Sequence, residues 1–550
     1  MSPVQPADLV LTGGSVFTLD AVRSQAQAVA VRDGRIAFVG RDRDVREHIG
    51  PRTRVVELRG RTLLPGFGDA HVHPAMAGIN LARCPLHELP RNLDAYLEAI
   101  AASADTQAGP WILGDGWYME AFPGGTPSRR DLDRVTGGRP ALFANRDGHG
   151  AWANSAALAL AGVSRDTPDP ADGRIEREPD GTPQGTLHEG AMELVRRLVP
   201  EPTTEELAHG IELAQAYLHR LGITAWQDAW VRPADLDAYL LLAGTGRLTG
   251  RVTACQWWER DRGGEQIEGM IEQRARGSVG RLNAGTVKIM QDGVAENYTA
   301  GMLLPYLGED GRETTNRGLS FVDPEALKGH VTRLDALGFQ VHFHALGDRA
   351  VREALDAIEA ARTANGPTDG RHHLAHLQVV DPDDIPRFRQ LGAAANVQAY
   401  WACNDAQMLD LTRPYLRPDR YALQYPIRDL HRSGAIVAAG SDWSVSTPNV
   451  MAEIEVAVTR VSPELRDREP FLPQQAIDLP EALAAFTTGT AWVNHLDNVT
   501  GSVEVGKYAD LAVLDRDIFA PEAGHLGDAR VLLTLVEGEA VHEDPGLEED

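Results

Sequence analysis

Two histidines one residue apart close an apolar run near the N-terminus, where Arg61 to His73 reads RTLLPGFGDAHVH. In an extended strand residues i and i+2 face the same way, so His71 and His73 project together from the C-terminal end of a buried strand. Paired neutral imidazoles are half of a site for a borderline metal such as zinc, which takes nitrogen ligands at about 2.0–2.1 Å. A histidine-bearing turn without a metal is the alternative for this motif alone. Lysine usage is the second signal. Among 53 basic residues only three are lysine, Lys288, Lys328 and Lys507. Lys288 lies in AGTVKIMQDG, a short apolar strand pattern ending in a turn. A buried lysine is costly unless its charge is removed or paired. Arginine cannot lose its proton; a buried lysine can, and its amine can then take up carbon dioxide as a carbamate, an anionic oxygen ligand able to bridge two metals. A lysine paired with Asp292 is the alternative.

These residues need elements to hold them. The middle of the chain alternates short apolar runs with helical patterns, the signature of a parallel α/β sheet or barrel. The expected strands are Leu63–Ala70, Gly222–Asp228, Arg251–Trp257, Gly285–Gln291, Gly338–His344, His372–Leu377, Ala393–Gln398 and Gly434–Ser441. Stretches such as EELAHGIELAQAYLHRLG and PEALKGHVTRLDALG read as amphipathic helices ending on glycine. Eight βα units make a TIM barrel, whose active site lies at the C-terminal ends of its strands. The first sixty residues and the last fifty instead alternate strand runs with turns, including Asp33-Gly34 and Glu537-Gly538, a hairpin signal. The sequence therefore predicts an α/β chain: a (β/α)8 TIM barrel over 63–76 and 205–498, with a small composite β-sandwich domain from 1–62 and 499–550. The long Gly-, Pro- and Asp-rich segment 77–204 follows the first barrel strand and exceeds an ordinary βα connection. It reads as an inserted subdomain or lid, with a dimerisation arm, and hence a homodimer, as the alternative.

Composition narrows the partners. A formal charge of −26 argues against nucleic acid or anionic membrane. The three cysteines, Cys84, Cys255 and Cys403, are far apart and form no CxxC pair, which fits a reducing cytoplasm. No signal-peptide pattern and no run of transmembrane length is evident.

With the strands placed, His71 and His73 end the first, Lys288 sits near the end of the fourth, and His342 and His344 end the fifth. His376 closes the sixth and Asp442 follows the eighth. Five strands delivering ligand-type residues to one rim point to a metal site. The segments GFGDAHVH, VKIMQDG, HALGD, AHLQ, GSDW and GKYADLAVLD resemble, in order and spacing, the landmarks of the amidohydrolase superfamily. The insert and HGAWANSAAL (His149–Leu158) narrow the likeness to amidohydrolase family 3, which includes N-substituted formamide deformylase-like enzymes.

That resemblance implies a metal-dependent hydrolase acting on a non-peptide C–N bond of a small N-substituted amide. It implies a divalent metal, zinc, as two ions bridged by carboxylated Lys288. His71, His73 and Asp442 would hold the more buried ion, and His344 and His376 the other. A metal-activated hydroxide would attack, and Asp442 would carry the proton. The alternatives are a mononuclear deaminase or cyclic amidase on the same barrel, and a catalytically silent binding or regulatory barrel. His149, Trp152, Asn154 and Gln378 are candidate substrate contacts, Trp401 and Trp443 candidate pocket walls, and His342 a core or supporting residue.

Overall fold

The structure, a computed structural model, describes residues 5–548 other than 88, 108 and 147. The chain divides into two units: one of Met1–His73, Gln215–Asp442 and Pro448–Asp550, the other of Pro74–Ala214 and Trp443–Thr447. Among the described residues, no helix is long and apolar enough to cross a membrane.

In the first unit, eight strands pair side by side in chain order, all parallel, into a nearly closed barrel. They are β1 Phe67–Val72, β2 Ile223–Val231, β3 Arg251–Trp257, β4 Leu282–Met290, β5 Gln340–Ala345, β6 His373–His376, β7 Ala394–Val397 and β8 Ile436–Ala439. All six residues of β1 and of β5 are buried, as expected of strands covered on both faces. The helices Thr204–Arg220 and Pro324–Ala336 fall where the apolar periodicity placed them. Asp323 caps the latter by accepting from the amides of Glu325 and Ala326, the usual way to satisfy donors that a helix start leaves unpaired.

The first expected strand needs correction. Residues 63–70 are not one strand, because the apolar run serves two sheets. Thr62–Pro65 pairs with Ser15–Phe17 and Leu511–Leu514 in a six-stranded sheet of the terminal domain, and only from Phe67 does the chain join the barrel. Gly66 is the crossing point. Its amide donates to Asp510 O and the next to Gly222 O, both within 2.9 Å, and a Cβ at Gly66 would lie 2.5 Å from the Thr224 side chain. Only glycine permits that approach.

The terminal domain is a sandwich of that sheet and a four-stranded one. Leu11, Val29 and Val31 of the four-stranded sheet pack against Leu63, Leu511, Val513 and Leu533 of the other. Both dipeptide signals form hairpin turns. Asp33 and Gly34 have φ of 51° and 73°, Glu537 and Gly538 of 51° and 78°, as a two-residue loop with two left-handed positions requires.

The second unit carries its own five-stranded sheet: Gly173–Arg177, Pro183–Glu189, Gly150–Ala153, Ala141–Asn145 and Ile112–Trp117, in that order. Tyr96, Trp117, Phe122, Phe143 and Trp152 form its core. It begins at Pro74 and ends at Ala214, three residues before and ten residues beyond the 77–204 expected, and includes the short segment Trp443–Thr447.

Candidate metal centre

Strand register brings the ionisable residues together. Lys288 of β4 lies opposite His342 of β5, Met290 opposite His344, and Ala345 opposite His376 of β6. β1 and β8 meet where the Asp442 amide donates to His71 O at 2.7 Å. There His73 Nε2 is 2.8 Å and His71 Nε2 3.4 Å from Asp442 Oδ1. One ligand atom from each of these three buried residues falls within 4.8 Å of the others. On the other side, His376 Nδ1 is 3.8 Å from Asp442 Oδ2, and the His376 ring lies 4.6 Å from that of His71 and 4.5 Å from that of His344. Asp442 and His376 both adopt left-handed backbone conformations, φ 54° and 81°. Such positions are unfavourable for non-glycine residues and cluster at functional sites.

The donor set fits a divalent cation. Burial above all, with Lys288 opposing a second positive charge, holds the His71 imidazole well below its usual range. Burial does the same for His376. Both rings are therefore neutral and offer lone pairs. Burial works to raise the Asp442 carboxyl, but the His71 and His73 imidazoles beside it prevail and hold it well below the usual carboxylate range. Among the described residues, Lys288 Nζ, both His376 ring nitrogens and His73 Nδ1 are buried and find no hydrogen-bond partner. Such groups are costly unless something coordinates them. Burial pulls the Lys288 amine down to about 7 against the opposing charge of Asp442. Asp292 does not pair with it. Asp292 Oδ1 instead accepts from His344 Nδ1 at 3.1 Å, and the carboxylate also takes the amides of Gly301, Leu346 and Gly347. This carboxylate–imidazole contact leaves the His344 lone pair on Nε2, the arrangement that orients ligating histidines.

Of four further sequence candidates, Trp152, Asn154 and His149 belong to the second unit and Gln378 follows β6 in the first. Trp152 is fully buried in the second unit's core, its indole donating to Ser128 O at 2.8 Å. Asn154 caps helix Ser155–Leu160. Its Oδ1 accepts from the Ala141 and Ala157 amides, and its Nδ2 donates to Thr136 Oγ1 and Arg139 O. Both Asn154 N–H groups and the Trp152 indole N–H are therefore engaged within the insert. His149 Nδ1 lies 3.0 Å from Glu189 Oε1 in the same unit. Gln378 is buried and donates to Gln424 Oε1 at 3.1 Å. By contrast Trp401 stacks on His376, centroids 5.3 Å apart and planes 9° off parallel. Trp257 stacks on Trp230, whose ring lies 6.4 Å from that of His73. Trp443 is buried and belongs to the second unit.

Sequence reasoning passed over three buried groups of the first unit. Asp69 accepts from the His71 and Ser441 amides and from Ser441 Oγ at 2.5 Å. Its place two residues before His71, on the same strand face, was the available signal. Glu453, on helix Val450–Thr459, is wholly buried, its carboxylate oxygens find no hydrogen-bond partner among the described residues, and burial pushes it well above the usual carboxylate range. Gln227 of β2 accepts from His342 Nδ1 at 2.9 Å.

Residues 54–542 match the family described as the amidohydrolase family. Protein LONG AFTER FAR-RED 3 of Arabidopsis thaliana is 31% identical over 559 aligned residues, covering 98% of this chain and 92% of that protein. N-substituted formamide deformylase of Arthrobacter pascens is 28% identical, covering 98% of this chain and 99% of its own. A metal-dependent hydrolase of known structure from Pyrococcus horikoshii OT3 has a TM-score of 0.74 at 23% identity, over 94% of this chain and 99% of that one. That likeness is one of fold.

Proposed function

We propose, from the premise that the chain belongs to the amidohydrolase family, that it hydrolyses the non-peptide C–N bond of a small N-substituted amide. In this reading His71, His73 and Asp442 hold one divalent ion, His344 and His376 a second, and carboxylated Lys288 bridges them. The observation that carries it is the convergence of His71, His73 and Asp442 ligand atoms within 4.8 Å at the C-terminal rim of a parallel barrel, where barrel enzymes do their chemistry. Full-length similarity to a formamide deformylase supports the substrate class. Imidazole and carboxylate donors in this number suit zinc.

When bound, the metal supplies a lowered pKa for coordinated water and polarisation of the scissile carbonyl. The protein does the rest. Asp442 receives the proton of the attacking water at a carboxylate oxygen and returns it to the departing amine, acting as base and then acid. The C–N bond breaks, and a carboxylic acid and an amine leave. Lys288, which burial pulls to about 7 so that a substantial share of it is free base near neutrality, adds carbon dioxide through its lone pair and loses a proton, becoming an anionic ligand. His344, aimed by Asp292, and His376, backed by Trp401, keep their lone pairs oriented without rearrangement. The three cysteines are buried, and among the described residues none forms a disulfide, which suits a reducing compartment, and we place the enzyme in the cytoplasm.

Metal analysis with a substrate panel tests this reading. Two equivalents of zinc and turnover of N-substituted formamides are expected. One equivalent with deamination or ring opening would transfer the chain to the one-metal enzymes of this barrel. No metal and no turnover would make it a binding protein.

A further inference from the structure

Beneath the rim, a continuous line of polar side chains runs from His71 into the barrel interior, and beyond His71 the proposed chemistry uses none of them. His71 Nδ1 lies 2.9 Å from His342 Nε2, and His342 Nδ1 lies 2.9 Å from Gln227 Oε1. Gln227 Nε2 is 3.2 Å from Gln340 Oε1, and Gln340 Nε2 is 2.8 Å from two main-chain carbonyls, Arg371 O and Val493 O. All four side chains are at most 4% exposed.

The two carbonyls settle the direction of every bond. A main-chain carbonyl can only accept, so Gln340 must turn its NH2 group toward the pair and its oxygen toward Gln227. That oxygen can only accept, so Gln227 must present Nε2 to it and Oε1 to the histidines. Gln227 Oε1 then receives His342 Nδ1 and, at 3.4 Å, Cys255 Sγ. Facing an obligate acceptor, His342 Nδ1 must carry the hydrogen, which leaves His342 Nε2 bare to accept from His71. Each orientation follows from its neighbour, as amide and imidazole assignments must.

We infer that His342 and Gln227 are positioning residues that lock His71 as the Nδ1–H tautomer, with its Nε2 lone pair turned to the Asp442 carboxylate, and that the lock is set by Arg371 O and Val493 O at the other end of the chain. The lone pair then confronts Asp442 Oδ1 across 3.4 Å, two acceptors that a shared cation reconciles. The lock pre-forms one half of the site and raises the basicity of the ligating nitrogen through the hydrogen bond on the other, as partners behind ligating histidines do. This inference rests on the reading of His71 as a metal ligand.

Two measurements test it. Neutron diffraction on the unaltered chain should show deuterium on His71 Nδ1 and His342 Nδ1 and none on either Nε2. Deuterium on His342 Nε2 would overturn the lock, whatever the enzyme's activity. Zinc affinity, by chelator competition, should fall on the order of 10–100-fold in Gln227→Leu, the usual effect of removing such a partner. It should fall less in Gln227→Glu, whose carboxyl still accepts from His342. A packing role predicts the reverse order, because leucine fills the space and a buried carboxyl is costly; that order would overturn the proposal. Deuterium placed as expected in a chain that binds no zinc would support the lock while removing the metal reading.

Discussion

The amide of Asp442 donates to the carbonyl of His71 at 2.7 Å, so the last barrel strand meets the first through the two residues whose side chains converge. Asp69 reinforces the seam by taking the amides on both sides, His71 N and Ser441 N at 3.0 Å each. Barrel closure and the spacing of these candidate ligands are thus one structural fact. A cation held there would lie across the joint between the first and last strands, and metal binding should stabilise the fold by simple linkage.

Asp442→Asn keeps shape and the main-chain bond to His71 but removes the base. Turnover should fall by about 10²–10⁴, the scale of general acid–base catalysis, or more. Zinc content should fall less than in His71→Ala, since one oxygen donor remains. Near-normal turnover in the Asn variant would remove Asp442 as the proton carrier.

Lys288 is the residue whose replacement separates a carbamate from a simple cation. Lys288→Arg retains charge but cannot form the carbamate, so it should be as inactive as Lys288→Met. Adding a short-chain carboxylate to Lys288→Ala should recover part of the rate by supplying the missing oxygens. Full activity in the arginine variant would show that only the positive charge matters.

Asp115, a residue of the second unit that is not among the candidate ligands, provides a pH test. Burial raises its carboxyl from 3.8 to about 8, against the opposing effects of the Asn80 hydrogen bond and the Arg83 charge. Between those values the folded chain holds a proton that the unfolded chain has released. Unfolding then liberates a proton, and stability falls as pH rises through that window. Asp115→Asn removes this dependence. Denaturation midpoints measured from pH 4 to pH 9 should show the variant gaining on the parent chain as pH rises; parallel curves would refute the raised carboxyl.

Much of this was legible in the sequence because strand alternation is a local rule. His71 with His73, and His342 with His344, announce their shared faces by spacing alone, and Lys288 stands out as one of three lysines among 53 basic residues. The failures are non-local. The run from Leu63 to Ala70 is uniformly apolar whether it serves one sheet or two, so the switch at Gly66 depends on Thr224 and Asp510, distant in sequence. Gln227 looks like any polar residue near a strand end until His342, His373 and Gln340 surround it. Asp292 could have met Lys288 or His344, and only the register of β4 against β5 decides.

Asn154 marks the sharpest difference between motif and structure, and its replacement tests which is right. All of its side-chain hydrogen bonds close within the insert, to Ala141, Ala157, Thr136 and Arg139. Asn154→Ala would uncap helix Ser155–Leu160 and leave buried partners unpaired, each effect costing about 1–3 kcal/mol. The midpoint of chemical unfolding of the insert should therefore drop, while zinc content stays intact and KM for any amide that is turned over changes little at temperatures where the variant is folded. Trp152→Phe should behave similarly but more mildly, losing the bond to Ser128 O while keeping most of the packing. An unchanged unfolding midpoint, with KM altered selectively across a panel of amides, would restore both residues to the substrate.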